Sequence, residues 1–159
     1  MTPAVRIAKK AGIVFTLHEY PHDSQVSSNS KNYGEEASTS LGVLPQQVFK
    51  TLLVSVNDNQ LAVAIVPVSH QLNFKSVAKA LGYKKASMAN PREAEKATGY
   101  VLGGISPLGQ KKQLPFVIDE TVVKFETVYV SAGRRGLEIE IAPKDLIDLC
   151  QAKTADIKC

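Results

Sequence analysis

Two apolar, β-branched runs, residues 48–56 and 61–68, flank the polar triplet Asn57-Asp58-Asn59. No other feature narrows the fold of this chain as much. Residues of this type suit a pleated surface, and Asn and Asp between two such runs predict a β-hairpin. Helix and strand signals alternate around it. Thr2 before Pro3 predicts a capped helix start and Gly12 its end. Residues 13–20 alternate and read as a strand, residues 23–33 are rich in Ser and Asn and read as a loop, and residues 34–41 read as a short helix ended by Gly42. Asn73 caps a helix through Leu81 that Gly82 ends, with Lys75 and Lys79 on one face. Residues 85–89 read as a short strand. Asn90-Pro91 opens a helix to Ala97, with Gly99 after it. Residues 115–119, 127–131 and 137–141 read as strands, residues 132–136 as a tight link, and residues 143–150 as a closing helix.

This order lacks strict βαβ alternation. It predicts an α+β fold with a curled mixed or antiparallel sheet, barrel-like, and surrounding helices. A length of 159 residues suits one domain spanning 1–159. No apolar run reaches membrane-spanning length, and the first residues lack the apolar stretch of a secretory signal. Cys150 and Cys159 form no CxxC pair and read as one helix-packed and one frayed terminal thiol. A soluble cytoplasmic protein is expected. The net charge of +4 gathers in doublets such as Lys84-Lys85, Lys111-Lys112 and Arg134-Arg135. Such doublets permit a phosphate-rich partner but equally suit a solvated surface.

Three constellations could carry chemistry. Lys50 falls on a strand face with Val48, Leu52 and Val54. It either grips an anion from within a pocket or covers core with its stem and keeps its head in water. Gly103-Gly104-Ile105-Ser106-Pro107 sits in a stretch with too many glycines for a regular element. Its amides either face a developing oxyanion or form a plain turn. It matches neither GxGxxG nor GxxxxGK[ST], so a nucleotide loop is not expected. Ser131 and Glu138 flank the link through Gly133 and could meet across it. Ser131 lacks a partnered histidine, so a hydrogen-bonding role suits it better than a nucleophilic one. His18, His22 and His70 make no convincing zinc set, and Tyr20 ends the first strand as a rim residue. Neither a metal nor a cofactor is expected.

The chain also resembles a known family. Met1-Thr2-Pro3-Ala4, Phe49-Lys50-Thr51-Leu52-Leu53-Val54, Val77-Ala78-Lys79-Ala80-Leu81-Gly82, Thr98-Gly99-Tyr100, the run Gly103 to Lys112, Tyr129-Val130-Ser131 and Arg135-Gly136-Leu137 together resemble the YbaK/EbsC family. That family is related to the editing domain inserted in prolyl-tRNA synthetase. The resemblance implies a single-domain curled-sheet fold and hydrolysis of Cys-tRNA(Pro) and Cys-tRNA(Cys) in trans. Its implied partners are the acceptor end of aminoacyl-tRNA and prolyl-tRNA synthetase. It implies Lys50 as pocket lysine, with Gly103 and Gly104 beside it as the catalytic set. Tyr20, Ile105, Ser106, Pro107, Ser131, Gly133 and Glu138 are implied to bind substrate. Ala132 stands where Gly is common and Glu138 where relatives can carry aspartate. With no Ser/His/Asp or Cys/His set in view, the expected mechanism uses the substrate's own thiol as nucleophile. The competing readings are a deacylase for another aminoacyl group and a non-catalytic tRNA- or synthetase-binding module.

Overall fold

A computed structural model describes residues 1–21, 33–57 and 59–159. The helices are α1 (Pro3–Ala11), α2 (Tyr33–Leu41), α3 (Phe74–Leu81), α4 (Pro91–Thr98) and α5 (Pro143–Cys150). The strands are β1 (Phe15–Glu19), β2 (Phe49–Val56), β3 (Gln60–Pro67), β4 (Ala86–Met88), β5 (Phe116–Asp119), β6 (Val128–Arg134), β7 (Leu137–Ile141) and β8 (Lys153–Ala155). The stretch read as a loop at 23–33 lies outside the described residues except for Tyr33, which opens α2, and Asp58 lies outside them too.

Local chemistry sets the helix ends. Thr2 accepts from the Val5 N–H at 3.3 Å, Pro3 follows it, and Gly12 closes α1 in the left-handed region. Asn73 accepts from the Ser76 N–H and Asn90 from the N–H groups of Arg92 and Glu93. Each of these caps satisfies an orphan amide of the first turn.

The hairpin forms as expected. β2 and β3 pair antiparallel from Phe49↔Pro67 to Val56↔Gln60. Asn57 and Asn59 both take positive φ at the turn, which Asn tolerates better than branched residues. β3 then pairs in parallel with β5, and β5 in parallel with β8. The result is a mixed sheet of order β4-β2-β3-β5-β8, beside an antiparallel sheet of order β1-β7-β6. An isolated parallel bridge, Val48↔Tyr129, joins the two. Among the described residues these are two open sheets, and the expected barrel-like closure is not formed. The parallel addition of β5 and β8 grows the larger sheet outward and leaves an edge at each end.

Both faces of the hairpin are buried. Phe49, Leu53, Val63 and Ile65 pack with Ile118, Ile139 and Leu146, while Val54, Val56, Ala62 and Ala64 pack with Val77 and Val117. Period-two alternation distributes these side chains to the two faces. The short strand β4 covers only Val54–Val56 of β2. The edge of β2 from Phe49 to Leu52 therefore carries no neighbouring strand on that side, and the candidate site lies there.

The end of the chain corrects one expectation. Cys150 is buried, as a helix-packed thiol should be. Cys159 is not frayed: its N–H donates to Gln71 O at 3.0 Å, next to a Leu72↔Lys158 bridge. The fully buried Asp119 anchors this return by accepting from the Ile157 N–H at 3.0 Å and from Thr121. Both thiols are free. No helix among the described residues is long and apolar enough to cross a membrane.

Candidate active site

A cavity of about 650 Å³ opens along the uncovered edge of β2. Because it wraps around a strand edge, residues from both faces of β2 line it: Phe49, Thr51 and Leu53 from one, Lys50 and Leu52 from the other. Tyr20 reaches it from the end of β1, Gly34 from α2, Gly103 and Ile105 from the glycine-rich loop, Ser131 from β6 and Glu138 from β7. Residues scattered over more than a hundred positions thus share one wall.

Lys50 is half-buried, and desolvation lowers the pKa of its ammonium, with the negative charge of Glu35 opposing that shift. Thr51, its neighbour, carries a buried hydroxyl oxygen with no hydrogen-bond partner among the described residues. A buried hydroxyl without a partner is costly, and at a cavity wall a ligand can supply the missing contact.

Ser131 and Glu138 meet as expected: they are direct cross-strand partners in the β6–β7 ladder. Ser131 Oγ accepts from the Gly133 N–H at 3.2 Å. Glu138 is only 6% exposed. None of its carboxyl oxygens has a hydrogen-bond or ion-pair partner among the described residues, and burial pushes its pKa up to about 8. Tyr20 is fixed by its N–H to Gly136 O at 2.9 Å. Burial and the nearby charges of Glu138 and Glu36 raise its phenol above the usual range.

The glycine-rich loop divides into two parts. Gly103 and Ile105 line the cavity, and neither N–H has a partner among the described residues. Gly104, Ser106 and Pro107 do not line it. The Gly104 N–H donates to Val101 O at 2.9 Å, and a Cβ there would stand 2.7 Å from Arg134 Cα. Glycine at 104 thus lets the loop pack against β6. Ser106 is fully buried and accepts from the Leu108 N–H, and Pro107 O faces the Cys150 thiol at 3.5 Å. Gly133 also stands off the cavity, close against Thr2 and Tyr100.

Sequence reasoning missed the clamp at one end of the site. Arg135 Nε donates to Glu36 Oε1 at 3.0 Å and its terminal nitrogen to Oε2 at 2.8 Å, both side chains being largely buried. This fork ties α2 to the β6–β7 turn, and bidentate pairing is the strong form of such contacts. No spacing rule links positions 36 and 135. Thr51 was visible only as a polar residue beside Lys50. His18 bonds Glu140 at 2.8 Å and packs on Tyr129. Among the described residues no three His, Cys, Asp or Glu side chains gather as a metal set.

Residues 28–149 match the family model of the aminoacyl-tRNA editing domain. The chain belongs to the aminoacyl-tRNA editing family. It is 36% identical over 98% of its length, and 92% of the relative's, to the Enterococcus faecalis protein EbsC, whose name assigns it deacylation of Cys-tRNA(Pro) and Cys-tRNA(Cys). It is 26% identical over 78% of its length, and 77% of the relative's, to the Escherichia coli Ser/Thr-tRNA deacylase ProXp-y. A solved structure described as a trans-editing enzyme for prolyl-tRNA synthetase shares the fold, with a TM-score of 0.82, 23% identity, and coverage of 100% of this chain and 99% of that one. As a member of the editing family the protein is a deacylase of aminoacyl-tRNA, a hydrolase of ester bonds that serves translation fidelity.

Proposed function

We propose that this editing-family protein acts in trans in the cytoplasm to remove cysteine from tRNA(Pro) and from tRNA(Cys). Residues 1–159 would act as one editing domain on the acceptor end of the tRNA, in association with prolyl-tRNA synthetase. The observation that carries the reading is a cavity lined by both Lys50 and the glycine-rich loop, with no Ser/His/Asp or Cys/His set among the described residues of its wall. The similarity to EbsC supports the choice of cysteine.

In this mechanism Lys50 holds the terminal phosphate. The substrate thiol loses its proton and attacks its own carbonyl carbon. A C–S bond forms, the C–O bond to ribose breaks, and the ribose oxygen takes up a proton; water then opens the four-membered thioester, breaking the C–S bond and giving free cysteine. A thiol of pKa about 8.5 supplies some thiolate at neutral pH. The N–H groups of Gly103 and Ile105 face the oxyanion; the role expected of Gly104 passes to Ile105, because Val101 already engages the Gly104 amide. Tyr20, Ser131 and Glu138 contact the aminoacyl-ribose end. Ser106, Pro107 and Gly133 shape the loop and turn behind the wall.

A second reading, specificity for serine or threonine, draws support from the ProXp-y relative. Loading tRNA(Pro) with cysteine or with serine separates the two. Release of cysteine at least about tenfold faster than serine, beyond the discrimination a methylene-scale pocket usually gives at its low end, is expected. Equal release would replace thiol attack by water attack. Salt-sensitive tRNA binding without ester loss would leave only a binding module.

A further inference from the structure

Among the described residues, one acid in the wall of the cavity has no partner. Lys50 is the cation that lines the cavity, and Arg135 belongs to the clamp with α2. Lys50 has Glu35 as its neighbouring anion, and Arg135 is held by Glu36 through two hydrogen bonds. Glu138 is the acidic residue of the lining, and it has no partner among the described residues. It lies in the cavity wall, 6% exposed, between the Ser131 and His18 positions of the adjoining strands. Ser131 donates nothing to it, and the His18 ring turns instead to Glu140. The Tyr20 phenol beside it is held in its neutral form and offers no charge.

We infer that Glu138 receives the α-ammonium group of the aminoacyl ester, in the same cavity in which Lys50 would bind the phosphate. The inference rests on the deacylase reading and names the part of the substrate that the unpaired carboxyl selects. A substrate of this class carries a phosphate at one end, an α-amine at the other and the scissile ester between them. The protein presents a cation on β2 and an unmatched acid on β7, with the amides of Gly103 and Ile105 on the same cavity wall. A buried carboxylate without a partner is unfavourable, and an ammonium that enters beside it supplies the missing charge and donors. Each of the three ammonium hydrogens can donate, so Ser131 Oγ can share the group. Glutamate at this position reaches farther into the cavity than aspartate would, by one methylene. The site therefore reads a feature common to free aminoacyl esters and absent from peptidyl or formylated ones.

The test compares cysteine esterified to tRNA(Pro) with the same ester acetylated on its α-amine and left with a free thiol. Single-turnover release is measured for the wild type, Glu138→Gln and Glu138→Asp, each divided by the uncatalysed rate of the same ester. A charge-assisted hydrogen bond to a buried group corresponds to a preference of roughly 10- to 150-fold, the loss expected for the acetylated ester in the wild type. Glu138→Gln should slow release of the free-amine ester and bring the two esters to within about twofold. Glu138→Asp should keep part of the preference. Circular dichroism and thermal melting confirm that each variant folds. Equal release of both esters by the wild type overturns the inference and leaves the deacylase reading intact, and so does a wild-type preference that survives in Glu138→Gln. Release of neither ester by the folded wild type overturns both. A preference that follows the ribose 2′-hydroxyl rather than the amine, read with a 2′-deoxy terminus, also overturns it.

Discussion

Glu138 and Glu140 stand two residues apart on β7, on the same face of the same sheet, and their surroundings are opposite. Glu140 accepts from the Thr127 hydroxyl at 2.6 Å and pairs with His18 at 2.8 Å. These contacts hold its carboxyl below the usual carboxylate range. Glu138 has no such partner among the described residues, and burial pushes it up to about 8. One end of the sheet face has its polar groups satisfied by the protein; the other end, where the cavity begins, does not. Folding alone would favour satisfying both. An acid kept buried and unmatched at a cavity wall is the kind of local inconsistency that marks a binding site.

The contrast makes separate demands on the two ends, because changes at the cavity end should alter turnover and changes at the outer end should alter stability. The largest effect is expected for Lys50→Ala, which removes the phosphate-facing cation. Release of cysteine from Cys-tRNA(Pro) should fall by about 10²-fold or more, as when a charged hydrogen-bond partner is lost, while the melting temperature changes little. Wild-type turnover in that variant would break the assignment of the cavity.

Next is the pH dependence of stability in Glu138→Gln. In the wild type the folded pKa of Glu138 lies above its ordinary value of 4.5, so the native state holds a proton that the unfolded chain has released. Its contribution lowers stability as pH rises from about 4.5 to about 8 and is constant above. The glutamine variant should lose this slope and gain stability at pH 8 by an amount on the order of a few kcal/mol. Denaturant titrations at pH 5 and pH 8 measure it; parallel slopes in both proteins would contradict the account.

Thr51→Val should act in two directions. The orphaned hydroxyl is removed, so stability should hold or rise by up to about 1 kcal/mol, while release slows by about tenfold if the substrate supplies the missing hydrogen bond. Loss of stability without loss of turnover would reassign that hydroxyl to the fold. The smallest effect is expected at the satisfied end. Glu140→Gln weakens a partly exposed pair and should cost below about 1 kcal/mol, with turnover unchanged. The folded Glu140 pKa is lowered, so its contribution is present above pH 4.5 and fades as pH falls through the folded value.

Much of the frame was legible because it is written locally. Thr2, Asn73 and Asn90 cap the helices they were expected to cap, and the Asn-bracketed hairpin formed with its full ladder. The meeting of Ser131 and Glu138 followed from strand spacing across a short turn. What stayed hidden depends on distant partners. β8 is three residues, Lys-Thr-Ala, with no pattern of its own, and parallel pairing to β5 alone makes it a strand. The division into two sheets follows from that addition. In the glycine-rich loop, composition foretold irregular backbone but not which amides the protein would engage. The Gly104 amide is engaged, and that of Gly103 has no partner among the described residues, because of where β6 and Val101 lie, and no residue type encodes that. Likewise Glu36 and Arg135 read as separate surface charges until the fold joins them.

The contrast between the two glutamates can be measured in one spectrum. Carboxyl ¹³C chemical shifts of the glutamates, followed against pH in the free protein and with a non-hydrolysable cysteinyl amide of 3′-amino-adenosine 5′-phosphate, give both titrations together. The expected result is Glu140 titrating below 4.5 in both states, and Glu138 titrating near 8 when free and falling well below that once the amine of the ligand binds. Glu138 titrating near 4.5 in the free protein, or unmoved by the bound ligand, would contradict the claim that this carboxyl waits for a partner from the substrate.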